Sequence, residues 1–233
     1  MMKSRREIKA LAREALREQR GKSILILLAV MLVVGVSVAL DLTVFFTLGQ
    51  GLVYWVVFWV GMLFIYVIGI NADGELIKIF NREPARVGAV FSGLKVNFWR
   101  KLGGMLWMTL WVFLWMLLFF IPGIVKSLAY SMTPYILASC PNVTARQALK
   151  LSIRMTDGHK GELFVLGLSF IGWLYLGGLT LGILSIVFVG PYMAITYAGF
   201  FVELRDKALA LGTITREELG WDSEETQSGV FEG

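Results

Sequence analysis

The sequence predicts an all-α membrane protein with about six transmembrane helices in three hairpins, preceded by an amphipathic interfacial helix. Of its 233 residues, 57% are hydrophobic and only 17% are charged, whereas a soluble domain is roughly half apolar and a quarter charged. Residues 23–72, 102–145 and 163–202 are almost free of acidic and basic side chains, and only Asp41 and Lys126 interrupt them. Each stretch is long enough for two spans of about 20 residues and a turn.

Helices are favoured over a membrane β-barrel because the apolar stretches do not alternate with polar residues. Residues 107–121 are almost uniformly apolar, whereas barrel strands show a period of two. In lipid the backbone groups have no water to bond, so a closed barrel is the only other spanning structure. The pattern therefore predicts transmembrane helices.

Residues 1–22 predict a basic amphipathic helix. Its apolar positions recur at helical spacing, and basic residues fill the other faces. Beside a membrane span, such a helix is expected at the surface of the lipid bilayer, attracted by anionic headgroups. A solvated helix that only carries topogenic charge is a compatible alternative. A nucleic acid would also need a basic face, but the adjacent span favours lipid, so no nucleic-acid partner is expected. The apolar positions are Ile8, Leu11, Ala12, Ala15 and Leu16.

The transmembrane domain is predicted over residues 23–204. Its six spans are expected near residues 23–40, 54–70, 102–120, 124–139, 163–177 and 183–202. Asp41 should end the first span in an outer turn. The segment 71–101 is basic, and its apolar spacing suggests short amphipathic helices separated by Pro84. Residues 205–233 form a polar, acidic tail with Asp222, Glu224, Glu225 and Glu232.

The basic residues predict the orientation of the chain. With the N-terminus inside, the cytoplasmic segments hold 8, 6, 4 and 3 of the 22 basic residues, and only Lys126 falls outside. The positive-inside rule therefore places both termini in the cytoplasm.

The fourth and sixth spans carry the most polar faces. Ser127, Tyr130 and Ser131 share one helical face, with Tyr135 beside it. Tyr192 and Thr196 share a face of the sixth span. Polar groups inside a membrane are costly and often functional, so these six could line a polar cavity for a substrate or a lipid headgroup. Alternatively, they only let helices approach and hydrogen-bond.

Three basic residues near span ends are candidate interfacial anchors. Lys126 lies one turn past a proline, so its ammonium can reach the outer headgroups; a cavity-facing charge that meets an anion is the alternative. His159 and Lys160 open the fifth span and are expected to anchor it at the interface. A lone histidine does not make a metal site, so no metal is expected.

No residue pattern indicates an enzyme. The sequence shows no Ser/His/Asp set, no phosphate-binding glycine loop followed by Lys-Ser/Thr, and no paired carboxylates within a span. Cys140 is the only cysteine, which excludes an intramolecular disulfide and a CxxC motif. We therefore expect no catalytic residue and no cofactor.

Two segments resemble the signature of the DUF975 family. These are residues 121–138, IPGIVKSLAYSMTPYILA, and residues 158–173, GHKGELFVLGLSFIGW, followed by Gly190-Pro191-Tyr192. The resemblance extends over nearly the whole chain. Gly161 and Gly167 depart from it, since an aromatic residue and an acid are usual there. The resemblance implies a multi-helix protein of the bacterial inner membrane and supplies no molecular activity, because the function of the family is unknown.

The expected function is therefore non-enzymatic. The protein could bind or transport a small or lipidic molecule, or support membrane homeostasis. The alternative is an accessory or scaffold subunit of a membrane complex such as an exporter. Its partner would then be another membrane protein, and a homo-oligomer is a further expectation.

Overall fold

The computed structural model describes residues 3–95, 97–180 and 184–221, and in these ranges all regular structure is helical. A π-helical turn, Ser185–Val189, leads into the last long helix, and a 3-10 turn, Glu217–Leu219, follows it. The α-helices are α1 Arg5–Glu18, α2 Arg20–Leu48, α3 Leu52–Phe80, α4 Ala89–Ser92, α5 Phe98–Leu118, α6 Phe120–Tyr130, α7 Thr133–Ser139, α8 Ala145–Thr156, α9 Lys160–Leu179 and α10 Gly190–Ala210.

Helix α1 confirms the predicted amphipathic helix and begins at a capping box. The Ser4 hydroxyl accepts the Glu7 N–H, and the Glu7 carboxylate accepts the Ser4 N–H at 2.6 Å, which satisfies two free donors of the first turn. Ile8, Ala12, Ala15 and Leu16 are buried, and the helix packs against α3 and α10. This face therefore contacts protein, and the basic residues remain on the outer side.

Five helices in the described part of the chain are long and apolar enough to cross a membrane: α2, α3, α5, α9 and the combined helix Ser185–Ala210. The predicted count of six is not confirmed. The fourth predicted span, 124–139, lies in α6 and α7, which have 11 and 7 residues. Pro134 lies in the first turn of α7 and has no N–H to continue α6, so the helix breaks at Ser131 and Met132.

Two helices extend beyond their predicted spans. Helix α2 continues to Leu48, so Asp41 lies within the helix and does not end it. Helix α3 continues through Asn71 and Glu75 to Phe80, where a separate amphipathic helix was expected. Polar residues end an apolar pattern, but they do not interrupt the backbone hydrogen bonds of a helix. The boundary of each helix therefore lies beyond the boundary of its apolar segment.

The packed core lies at the end of the bundle that carries α1. There the C-terminal part of α3 meets α1, α7 and α10. By contrast, the most apolar windows of α2 and α3 are only 17% buried, against 56% for the combined helix Ser185–Ala210. The exposed apolar sides of α2 and α3 are surfaces of the kind that acyl chains cover.

The segment after α10 belongs to the fold as far as the structure describes it. Helix α10 runs to Ala210, and Ile214 and Leu219 are buried. The predicted polar tail, 205–233, is therefore helical and packed over its first part. Its acidic residues from Asp222 onward lie outside the described residues.

Candidate anion-binding groove

The hydroxyl groups predicted to form a polar face in the fourth span bond to their own helix. Ser127 Oγ donates to the Ile124 carbonyl at 2.8 Å, and Ser131 Oγ donates to the Leu128 carbonyl at 2.8 Å. Serine in a helix commonly makes such a bond to the preceding turn. These two residues are therefore accounted for by local bonding.

The predicted tyrosines are buried, and two of them make aromatic contacts. Tyr135 stacks on Phe201 with ring centroids 5.6 Å apart, and Tyr130 is also buried. Tyr192 packs against Phe170 at 5.5 Å, and its hydroxyl has no hydrogen-bond partner among the described residues.

Thr196 makes a local bond, as the serines do. Its Oγ1 donates to the Tyr192 carbonyl at 2.6 Å. Tyr135 approaches α10, the helix that contains Tyr192 and Thr196, through its stack on Phe201. These contacts are those expected of helix packing, and the cavity between the fourth and sixth spans stays a prediction.

The three predicted anchors make separate contacts. The Lys126 ammonium lies 4.9 Å from the centre of the Trp115 ring. His159 is the N-cap of α9, and its Nε2 lies 2.8 Å from Lys207 Nζ on α10. Lys160 Nζ lies 3.3 Å from the carboxylate three residues before it. Their role at a membrane interface stays a prediction.

Sequence reasoning missed a buried polar network that fixes the segment after α3. Lys101 Nζ donates to Asn71 Oδ1 at 2.6 Å and to the Gly93 carbonyl at 3.3 Å. Asn71 Nδ2 donates to the Val90 carbonyl at 2.9 Å. From the sequence, Lys101 is predicted only to contribute to the positive charge that sets the orientation of the chain.

Arg100 closes the C-terminal end of α7. Its guanidinium donates to the carbonyls of Leu137, Cys140 and Val143 at 2.6, 2.9 and 2.6 Å. The last carbonyls of a helix have no partner within the helix, and hydrogen bonds from a charged donor are stronger than neutral ones. Arg100 and Lys101 therefore hold parts of the fold together through bonds to neutral oxygen atoms.

A groove of about 490 Å³ lies between α1 and α9. Residues at the start of α1 form one wall, and residues of the first turns of α9 form the other. We call it the α1–α9 groove. Its lining residues are Ser4, Arg5, Arg6, Lys9, Val165, Leu166 and Ser169.

Lys9 lies at the contact between the two helices that form the groove. Its Nζ donates to Ser169 Oγ at 2.5 Å and lies 4.4 Å from the centre of the Phe170 ring. Partial burial lowers the pKa of Lys9, and repulsion from Arg13 and Arg5 lowers it further. The ammonium is thus partly desolvated, and among the described residues no carboxylate forms an ion pair with it.

The described lining residues of the α1–α9 groove carry three cations and no acid. The acids nearby in α1 and α10 already have partners. Glu7 accepts the Ser4 N–H, and Glu203 pairs with Lys3 at 2.5 Å. The positive charge of Arg5, Arg6 and Lys9 is therefore available to an anion, and arginine forks match the oxygens of a phosphate.

A second groove, of about 430 Å³, differs in its charge balance. It lies between α8 and the 3-10 turn, and there Arg154 pairs with Glu218 at 2.7 Å. Its cations are thus partly neutralised. None of the six residues predicted to line a polar cavity belongs to the described lining of either groove.

The α1 wall of the α1–α9 groove was predictable from the sequence, but the α9 wall was not predicted. Arg5, Arg6 and Lys9 belong to the basic side predicted for α1, but their pairing with α9 is a tertiary contact that periodicity does not reveal. Ser169 is the one serine or threonine in the sequence of α9, and that isolated hydroxyl is the signal that could have identified the second wall.

The family comparison covers the α9 side of this groove. Residues 116–208 match the family model described as a protein of unknown function (DUF975), which is a shorter range than the resemblance drawn from the sequence. The match includes α6 to α9 and most of α10, whereas α1 lies outside it. No curated protein and no solved structure matches the chain. Residues 116–208 are therefore similar to the DUF975 family.

Proposed function

We propose that this protein is a multi-pass protein of the bacterial inner membrane that binds a phosphate-bearing anion, small or lipidic, in the α1–α9 groove. Both termini lie in the cytoplasm, and the protein acts without catalysing a reaction. The match to the family model and five apolar helices support the membrane location. The distribution of basic residues supports the orientation.

The cationic lining of the groove is the observation that carries this proposal. Arg5, Arg6 and Lys9 face one space with no acidic residue among its described lining. Burial lowers the pKa of Lys9, and repulsion from Arg13 and Arg5 lowers it further. An anion that binds among them removes this repulsion, so the site favours negative charge.

The basic turn after α3 contacts α1, the helix that forms one wall of the groove. Arg82, just after α3, lies 2.8 Å from the Glu14 carboxylate and bonds to Glu18 of α1 at 2.5 Å. The turn after α3 therefore lies against α1. Under the proposed orientation this turn and α1 face the inner leaflet, where anionic lipids attract basic surfaces.

The accessory-subunit alternative would use the basic side of α1 and the cytoplasmic loops as docking surfaces. The apolar face of α1 does not serve it, because Ile8, Ala12 and Leu16 are already buried within the protein. Only the basic side of α1 is open to a partner.

Removal of two groove charges tests the proposed function. In the purified full-length protein, the double variant Arg5→Gln/Arg6→Gln should bind dioctanoyl phosphatidylglycerol at least about tenfold more weakly, because each charged hydrogen bond contributes about 1.5–3 kcal/mol. Inorganic phosphate should lose affinity in parallel. Native mass spectrometry or a microscale binding titration measures both ligands.

The matched control is Arg17→Gln/Arg20→Gln, which removes the same charge from exposed positions outside the groove lining. This control should retain nearly the wild-type affinity. If both double variants weaken binding equally, the effect is one of net charge, and the groove is not the site.

A further inference from the structure

The outer side of α9 forms an apolar stripe that begins at the groove. Val165 and Ser169 line the groove. Gly172 and Leu176 follow seven and eleven residues after Val165, which places them on the same face of the helix. Val165 and Leu176 are 44% and 48% exposed. A Cβ atom at Gly172 would have no neighbour within 4 Å, so the protein leaves an open path at this position.

This stripe has the dimensions of an acyl chain. From Val165 to Leu176 the helix rises about 16 Å at about 1.5 Å per residue. Helix α9 is also one of the helices long and apolar enough to span a membrane. The cationic groove lies near the start of α9, and the apolar stripe leads away from it.

The combination matches an amphiphile in shape and chemistry. A charged group would occupy the groove while the attached chain lies against Val165, Gly172 and Leu176. Free phosphate could use the groove, but it would leave the apolar stripe unused. The two ligand sources therefore differ in their dependence on the stripe.

We propose that the ligand of the groove is an anionic phospholipid bound as one molecule, with its phosphate among Arg5, Arg6 and Lys9 and one acyl chain along the α9 stripe. This inference rests on the proposed anion site and specifies its substrate class. The lipid is held by charge in the groove, where Lys9 bonds to Ser169, and by apolar contact with α9 beyond it, at Gly172 and Leu176.

A chain-length series with a blocking variant tests the inference. Wild-type protein in detergent should bind dimyristoyl phosphatidylglycerol at least tenfold more tightly than the dioctanoyl lipid, because the longer chain covers more of the stripe. In Gly172→Phe the new ring obstructs the stripe, and this gain should fall to less than threefold. Inorganic phosphate should bind Gly172→Phe as it binds the wild type.

The control variant is Gly178→Phe. Gly178 also lies in α9 with no neighbour within 4 Å of an added Cβ, but it faces away from the stripe. It should keep the full gain in affinity. A second pair covers the case in which a phenylalanine disturbs the helix: Leu176→Gln should reduce the gain, and Leu174→Gln, on the opposite side and 46% exposed, should not.

The two proposals fail in different ways. If Gly172→Phe and Leu176→Gln both keep the full chain-length gain while Arg5→Gln/Arg6→Gln weakens phosphate binding, the lipid assignment is overturned and the anion site stands. If the arginine variant binds phosphate and both lipids like the wild type, both proposals are overturned. If Gly172→Phe and Leu176→Gln lose the chain-length gain in affinity while their control variants keep it, the phospholipid assignment is supported.

Discussion

Replacing Ile8 with aspartate is expected to destabilise the protein by about 4 kcal/mol or more. Ile8 is completely buried, and its helix packs against α3 and α10. A carboxylate there would be buried without a partner and would detach α1 from the core. Thermal unfolding in detergent can be followed with a dye that fluoresces when it reacts with a thiol, because Cys140 is buried and reacts only as the protein unfolds. The variant should show a markedly lower unfolding midpoint.

Ala10→Asp is the matched control for this prediction. Ala10 lies in the same helix two residues later, but it is exposed, so its variant should melt close to the wild type. Equal midpoints for Ile8→Asp and the wild type would show that α1 is not part of the folded core. The α1–α9 groove would then lack a fixed wall.

Arg100→Met is expected to cost about 3 kcal/mol or more, because three carbonyl groups near the end of α7 lose their charged donor. Arg100→Lys keeps the charge but cannot reach all three carbonyls with one ammonium. Its midpoint should lie between those of the methionine variant and the wild type. The same thermal unfolding measurement gives all three values.

Arg86→Met is the control for Arg100. Its side chain is exposed, and only its backbone N–H bonds to Glu75, so removal of this charge should leave the midpoint nearly unchanged. If Arg100→Met and Arg86→Met have the same unfolding midpoint, the three carbonyl contacts contribute nothing measurable to stability, and the role given to Arg100 at the end of α7 is wrong.

The apolar segments were predictable from the sequence, but the helix boundaries were not. Long runs of apolar residues located α2, α3, α5 and α9, because each must be long enough to cross the hydrocarbon core. Helix α3 continues past Asn71 because the Lys101 network satisfies that amide inside the fold. Pro134 breaks the fourth predicted span, and a mid-span proline does not always do so in membrane helices.

The candidate site was predictable in part for a similar reason. Cations on one side of α1 follow from helical spacing, so their use by an anion could be expected. Which helix would face Arg5 and Lys9 depends on tertiary packing, and neither composition nor periodicity contains that information. By contrast, a hydroxyl such as that of Ser131 in an apolar span suggests a functional site. A serine there can instead donate its hydrogen bond to a carbonyl of its own helix, as Ser131 does.

The most direct test of the central claim is a density map of the full-length protein in nanodiscs that contain phosphatidylglycerol, with a bound antibody fragment to add size. We expect lipid density with its phosphate within hydrogen-bond distance of Arg5, Arg6 and Lys9, and with one chain along Val165, Gly172 and Leu176. An α1–α9 groove free of lipid density, in a map that resolves annular lipids on other faces of the protein, would contradict the account.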